Sequence, residues 1–205
     1  MSLCGRVSGN IVGADCSDII QPGVESEAYI INLADIDRAT STVDSDGMIT
    51  NIAITTVGAA AYLVQTLERG LRGEVALVKG TYVSSYDHKV GIKIFDNSPL
   101  IKKGIDNLEK GKYCIILKNK YLKSSAVSPE LVGQTVYEAY GWTQGLQAME
   151  ITRATDDNEL KSGYNIVMGT MEGEQETFLP RIVFKTSLAA TEAMLVALLT
   201  PVPTP

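Results

Sequence analysis

The sequence predicts a mainly β fold of the α+β class, an antiparallel β-sandwich or barrel with one flanking α-helix and extended loops. Three observations predict it. Eight to ten short apolar segments recur along 205 residues, separated by turn signals rather than by helices. Several of them alternate, most clearly Lys89–Phe95, where Val90, Ile92 and Ile94 interleave with Gly91, Lys93 and Phe95. Only the stretch at about 98–110 carries full helix punctuation.

The elements follow in order. Residues 1–27 are rich in Gly, Ser and Asp without a period and read as an N-terminal arm or loops. Glu27–Leu33 reads as a strand, and Ala34–Asp46, polar and acidic, as a loop. The Asp46-Gly47 turn dipeptide leads into Met48–Thr55, where Met48, Thr50, Ile52 and Ile54 would share one strand face. Ala60–Leu67 fits helix or strand by pattern, and the following Gly70 and Gly73 favour strand. Glu74–Val83 is a strand with Val75 and Leu77 on one face and Ala76, Val78 and Tyr82 on the other. Tyr82–Tyr86 connects it to the alternating strand Lys89–Phe95.

Ser98 can cap a helix, and Pro99 at its first position loses no bond there. Ile101, Ile105 and Leu108 form one apolar stripe, and Gly111 is expected to end the helix as a left-handed cap. Strands are expected at Tyr113–Lys118, Thr135–Trp142, Leu146–Thr155, Tyr164–Thr170 and Arg181–Thr186. A basic loop spans Lys118–Pro129, a turn covers Asp156–Glu159, and an acidic loop holds Glu172, Glu174 and Glu176. Residues 188–199 read as a short helix with almost no polar face, buried in its own domain or in a neighbour's. Residues 200–205 form an extended C-terminal tail, so 28–199 make one β-rich domain. No repeat of fixed period is visible.

Composition narrows the function. Apolar residues make up 45% and charged residues 20%, ordinary values for a chain that buries a core. The opening residues lack the pattern of a secretory signal. The longest apolar run, Ala193–Leu199, is far short of the roughly 30 Å of a bilayer core, so no membrane partner is expected. Cys4, Cys16 and Cys114 are scattered and odd in number, which points to small buried residues rather than disulfides. Net charge is −6 and unevenly placed: Arg72–Lys123 holds 11 Lys/Arg against 5 Asp/Glu, the remainder 7 against 19. That division fits either unequal solvated loops or a subunit whose basic part meets an acidic part of a neighbour.

Catalytic groups are scarce. His88 is the single histidine, lies in Tyr86-Asp87-His88-Lys89, and has no nucleophile motif to serve, so it reads as structural or exposed. No phosphate-binding loop occurs, and the regular spacing of Gly5, Gly9 and Gly13 precedes no strand–helix unit. The pairs Asp35/Asp37, Asp44/Asp46 and Asp156/Asp157 lack a calcium loop's closing glutamate, and turn chemistry explains them better. Lys102–Lys123 with Tyr113 and Tyr121 does not interleave as a base-stacking platform. The overall acidity opposes tight DNA binding, yet suits a channel that DNA must pass without adhering. The expectation is therefore a non-enzymatic protein with no catalytic, cofactor or metal residues and no cofactor.

Four stretches carry a resemblance over about half the chain. They are Leu3-Cys4-Gly5 through Gly13-Ala14-Asp15-Cys16 with Tyr29-Ile30-Ile31-Asn32; Ser84–Phe95 running into the capped helix; Tyr137–Trp142 with Gly145-Leu146; and Thr177-Phe178-Leu179-Pro180. In these the chain resembles tail-tube and tail-ring structural proteins of bacteriophages and prophages, particularly of gut Bacteroidetes, crAss-like phages included. The resemblance implies a virion structural protein of the phage tail, assembled in the host cytoplasm. Its partners would be further copies of itself in a six- or twelvefold ring, neighbouring tail, portal or hub proteins, and DNA passing through the lumen. Arms and loops would join successive rings. The alternative is a β-sandwich adhesin or receptor-binding module of a virion or cell surface, and an enzyme ranks third for want of catalytic groups.

Overall fold

Alternation sets the longest regular pairing in the molecule. Strands β5 (Leu71–Lys79) and β6 (Ser84–Ile94) form a hairpin with unbroken register from Leu71 opposite Ile92 to Lys79 opposite Ser84. The computed structural model describes residues 23–80, 83–120, 133–156 and 163–203. Among these are eleven strands and two α-helices, and the fold is mainly β with antiparallel sheets. Residues 1–22 of the arm expected at 1–27, the basic loop from Tyr121 on and most of the Asp156–Glu159 turn lie outside the described residues, as do Cys4 and Cys16. Val24–Glu27, expected in the arm, belong instead to the first strand, where they extend the pairing of Ala28–Asn32.

Two sheets account for most of the fold. The five-stranded sheet has the order β11 (Arg181–Ile182), β8 (Tyr137–Tyr140), β7 (Tyr113–Asn119), β1 (Val24–Asn32), β4 (Tyr62–Gln65). The four-stranded sheet has the order β5, β6, β10 (Tyr164–Gly169), β9 (Gln147–Thr152). A small hairpin, β2 (Thr42–Val43) and β3 (Ile49–Asn51), turns at Gly47, whose φ of +85° favours glycine. It is joined beside β11 through a bridge between Ile49 and Val183.

The five-stranded sheet is buried on both faces. Ala28, Ile30, Ile115, Leu117 and Tyr140 share a core with Leu71, Val90, Ile92, Ile166 and Met168 of the four-stranded sheet. Tyr29, Ile31, Cys114, Ile116 and Ala139 face the other way, onto Ile36, Ile49, Ile52, Val183, Met194 and Leu195. This explains why Tyr113–Leu117 is apolar without alternation: each neighbour faces a different core.

Helix α1 (Pro99–Leu108) starts as the sequence predicts. The Ser98 hydroxyl accepts from the Ile101 N–H at 3.4 Å, and Ile105 is buried with Ile101 and Leu108 half-buried beside it. Ser98→Ala is expected to cost about 1 kcal/mol in urea unfolding at unchanged m-value. Its end differs from expectation. Gly111 has no left-handed φ. The helix closes through Lys110 N–H to Asn107 C=O, and glycine is needed at 111 because a Cβ would meet the Tyr113 ring.

The short helix expected at 188–199 is α2 (Leu188–Ala197), capped by the Ser187 hydroxyl. It packs within its own chain through Met194 and Leu195, while Ala189, Ala193, Val196 and Ala197 face outward. Small alanines make that exposed apolar face cheap. The tail beyond it is extended but held: Gly58 N–H donates to Val202 C=O and Val202 N–H to Ala59 C=O.

Other boundaries shift for local reasons. The expected strand Met48–Thr55 ends at Asn51, so its phase changes and Ile49 and Ile52 are the buried residues, not Met48 and Thr50. β5 begins at Leu71 rather than Glu74 because Leu71–Gly73 pair with Val90–Ile92, and β6 begins at Ser84, where the hairpin closes from Gly80 N–H to Val83 C=O. The expected strand Arg181–Thr186 retains only Arg181–Ile182, since Val183 and Phe184 turn to bond Tyr137 and Ile49.

Candidate functional site

His88 is where the two sheets are tied together. Alternation from Val90 and Ile92 places it on the inner face of β6, opposite Val75, and it is 2% exposed. Its Nδ1 accepts from the Gly141 N–H at 3.3 Å, so the proton of the neutral ring sits on Nε2 and is donated to the Phe178 carbonyl at 3.0 Å. Gly141 follows β8 with a φ of +67°, a backbone shape glycine takes freely. The turn it opens carries the chain from the five-stranded sheet to β9 of the four-stranded one. The Tyr140 ring meets the imidazole edge-on at 5.7 Å.

Glu176 completes the tie. It lies in the segment read as an acidic loop, and it is 2% exposed. Its Oε1 accepts from the Thr143 N–H at 2.8 Å and the Gln144 N–H at 2.7 Å, while its backbone bridges Tyr86. Arg38 lies 4.3 Å from the Trp142 ring centroid and donates to the Trp142 carbonyl. The Thr170 hydroxyl donates to Asp87 at 2.6 Å and accepts from the His88 N–H at 3.2 Å. Burial lowers the His88 pKa below its ordinary value, against the opposing effects of Glu176, the Phe178 carbonyl and Asp87. Both imidazole nitrogens are occupied by backbone groups, so this histidine holds structure.

The remaining candidates sort by geometry. Asp37 and Asp44 serve turns, Asp37 accepting from Ala39 N–H and Thr40 hydroxyl, Asp44 from Asp46 N–H and Met48 N–H. Asp35 accepts from the Asn32 amide. Among the described residues no three His, Cys, Asp or Glu side chains gather at metal-binding range. Cys114 is fully buried, and burial pushes its thiol up to about 12. Tyr113 is buried with its hydroxyl donating to the Asn107 carbonyl. Three lysines of the basic segment meet acidic partners within the same chain: Lys112 with Glu174, Lys118 with Glu192, and Lys120 with Glu68, at 2.7, 3.0 and 3.2 Å. Part of the charge asymmetry is therefore satisfied internally.

The outer half of the β5–β6 hairpin behaves differently. Pairing of β6 with β10 ends at Lys89 opposite Gly169. Beyond it, among the described residues, β6 keeps backbone bonds to Thr170 at His88 and to Glu176 at Tyr86, and pairs with no further strand on that side. Six residues of β5, Glu74–Lys79, project over about 20 Å of strand. The inner-face row Leu71, Gly73, Val75, Leu77 begins in the core and leaves it: Leu71 is buried, Val75 is 37% exposed and Leu77 53%. At the tip Val83 is 72% exposed. β5 is also the outermost strand of its sheet, so its outer backbone edge pairs with no strand among the described residues.

The chain matches no protein-family model, no curated protein and no solved structure. Fold and local geometry thus carry the functional reading.

Two clefts lie on the surface of the described residues. One of about 700 Å³ is lined by Asn32–Ile36, Arg38, Gly111, Lys112 and Thr143. The other, about 360 Å³, lies between the Gly47 turn and Phe178–Ile182, with Arg181 stacked 4.4 Å from the exposed Phe178 ring.

Proposed function

We propose that this chain is a structural subunit of a homo-oligomeric ring or tube, of the kind that forms the conduit of a bacteriophage tail. One observation carries the reading: the outer half of the β5–β6 hairpin, where Val75 and Leu77 are partly exposed and the outer edge of β5 pairs with no strand among the described residues. A long, regular, apolar edge strand is a template for pairing with another chain, and a closed ring leaves no such edge. Its occupant would be a second copy, since each subunit in a closed ring both offers the edge and covers its neighbour's. In this reading the sheets belong to the sandwich type of tail tubes, and the net negative charge keeps DNA from adhering to the wall.

Negative-stain microscopy and sedimentation of the purified protein test it. Rings or tubes are the expected result, and a monomer at every concentration would count against it. Leu77→Asp is expected to raise the concentration of half-assembly at least about tenfold, since an interface leucine contributes roughly 1.5–3 kcal/mol. Its monomer should unfold at the wild-type midpoint, because Leu77 is half exposed in the single chain.

The adhesin reading draws on the Phe178–Leu179–Pro180 segment beside the smaller cleft. A single exposed aromatic already stacked by Arg181 gives it less surface than the hairpin gives assembly. Well-dispersed monomers that bind a surface glycan or protein would favour it.

A further inference from the structure

The imidazole of His88 joins three separate pieces of chain, and the join depends on which nitrogen carries a proton. The neutral ring takes the Gly141 N–H on Nδ1 and gives its Nε2–H to Phe178 C=O. A second proton would go to Nδ1, leaving two donors facing each other across 3.3 Å. The Phe178 bond would survive, because Nε2–H donates in either form.

We propose that His88 is a proton-operated clasp between the two sheets: the neutral ring holds the Gly141 turn onto β6, and protonation lets that turn go while Phe178 stays attached. The clasp acts within one chain, whatever the oligomer.

The surroundings decide what the protonated ring would meet. From its own strand comes Asp87, already bonded by the Thr170 hydroxyl at 2.6 Å and paired with Lys89 at 3.2 Å. From the loop before β11 comes Glu176, whose Oε1 holds two backbone amides. From β8 comes the Tyr140 ring, and Arg38 faces Glu176 from beyond β1. The two carboxylates attract a proton to the ring, but the group bonded to Nδ1 is the Gly141 N–H, so the partner that a second proton displaces is the Gly141 turn. Burial opposes protonation and outweighs the carboxylates. The folded protein therefore takes the proton below the ordinary imidazole range near 6.5, whereas the unfolded chain takes it there. The stabilisation from the neutral clasp is complete above that range and declines as pH falls toward the folded value.

The chain supplies its own reporters. His88 is the single histidine and Trp142, next to Gly141, the single tryptophan. Nuclear magnetic resonance titration of the full-length protein would follow the imidazole while fluorescence follows Trp142. The expected result is one proton uptake below the ordinary imidazole range, with a Trp142 emission change at the same midpoint. The Gly141 amide should exchange at least about fivefold faster below that midpoint after correction for intrinsic rates, as for a lost hydrogen bond. His88→Gln, which can accept but not titrate, should abolish the Trp142 transition. A transition that persists in His88→Gln would overturn the clasp. So would titration of the wild-type ring with no response at Trp142 and Gly141, or unfolding of the protein before the ring takes its proton. If His88→Gln does not fold, agreement or disagreement of the two wild-type midpoints decides.

Discussion

Ile92→Asp is expected to abolish cooperative folding. Ile92 is fully buried, sits on β6 between Leu71 of β5 and Ile166 of β10, and lies in the core shared by both sheets. Removing a buried aliphatic side chain alone costs about 2–5 kcal/mol. Placing a carboxylate there without a partner adds several more, or forces it to stay protonated. The sum reaches the roughly 5–15 kcal/mol that holds a domain of this size together. Circular dichroism melting should show no sigmoidal transition, and a wild-type midpoint would contradict the assigned core. Ile94→Asp serves as the comparison. Its side chain is only half-buried at the strand end, so a loss of about 1–2 kcal/mol with the fold retained is expected.

Glu176→Ala is expected to be the most damaging substitution of a charged residue among those described. It strands the Thr143 and Gln144 amides, both bonded to one buried oxygen. Hydrogen bonds to charged groups contribute about 1.5–3 kcal/mol each, so a loss of roughly 3–5 kcal/mol in urea unfolding should follow. Glu176→Gln keeps an acceptor oxygen and should lose about half as much. Equal losses for the two variants would mean the amides find other partners.

These two residues also mark how far a sequence could be read. Ile92 was legible because β6 is half-buried and alternates, and carrying the same period back to residue 88 puts His88 on the inner face. The helix start was legible because Ser98 and Pro99 act within one turn. Gly111 misled because glycine has two uses after a helix, and here it clears space for the Tyr113 ring. Glu176 gave no signal. It stands among Glu172 and Glu174 in a turn-rich stretch, and its burial comes from the Gly141 turn more than thirty positions away in sequence. A short-range pattern cannot register a contact of that span. The exposed end of the hairpin was hidden for a related reason: Val75 and Leu77 alternate as core residues do, and only their exposure shows that the described residues leave them partly uncovered.

The placement of α2 bears on how the polypeptide is made. The face of β1 and β7 formed by Tyr29, Ile31, Cys114 and Ile116 is roofed in part by Met194 and Leu195, and those residues leave the ribosome long after the strands they cover. Until then a nascent chain carries a greasy, half-finished surface. Stalled or shortened translation products ending before Leu188 would keep it permanently, making them natural clients for chaperones and proteases.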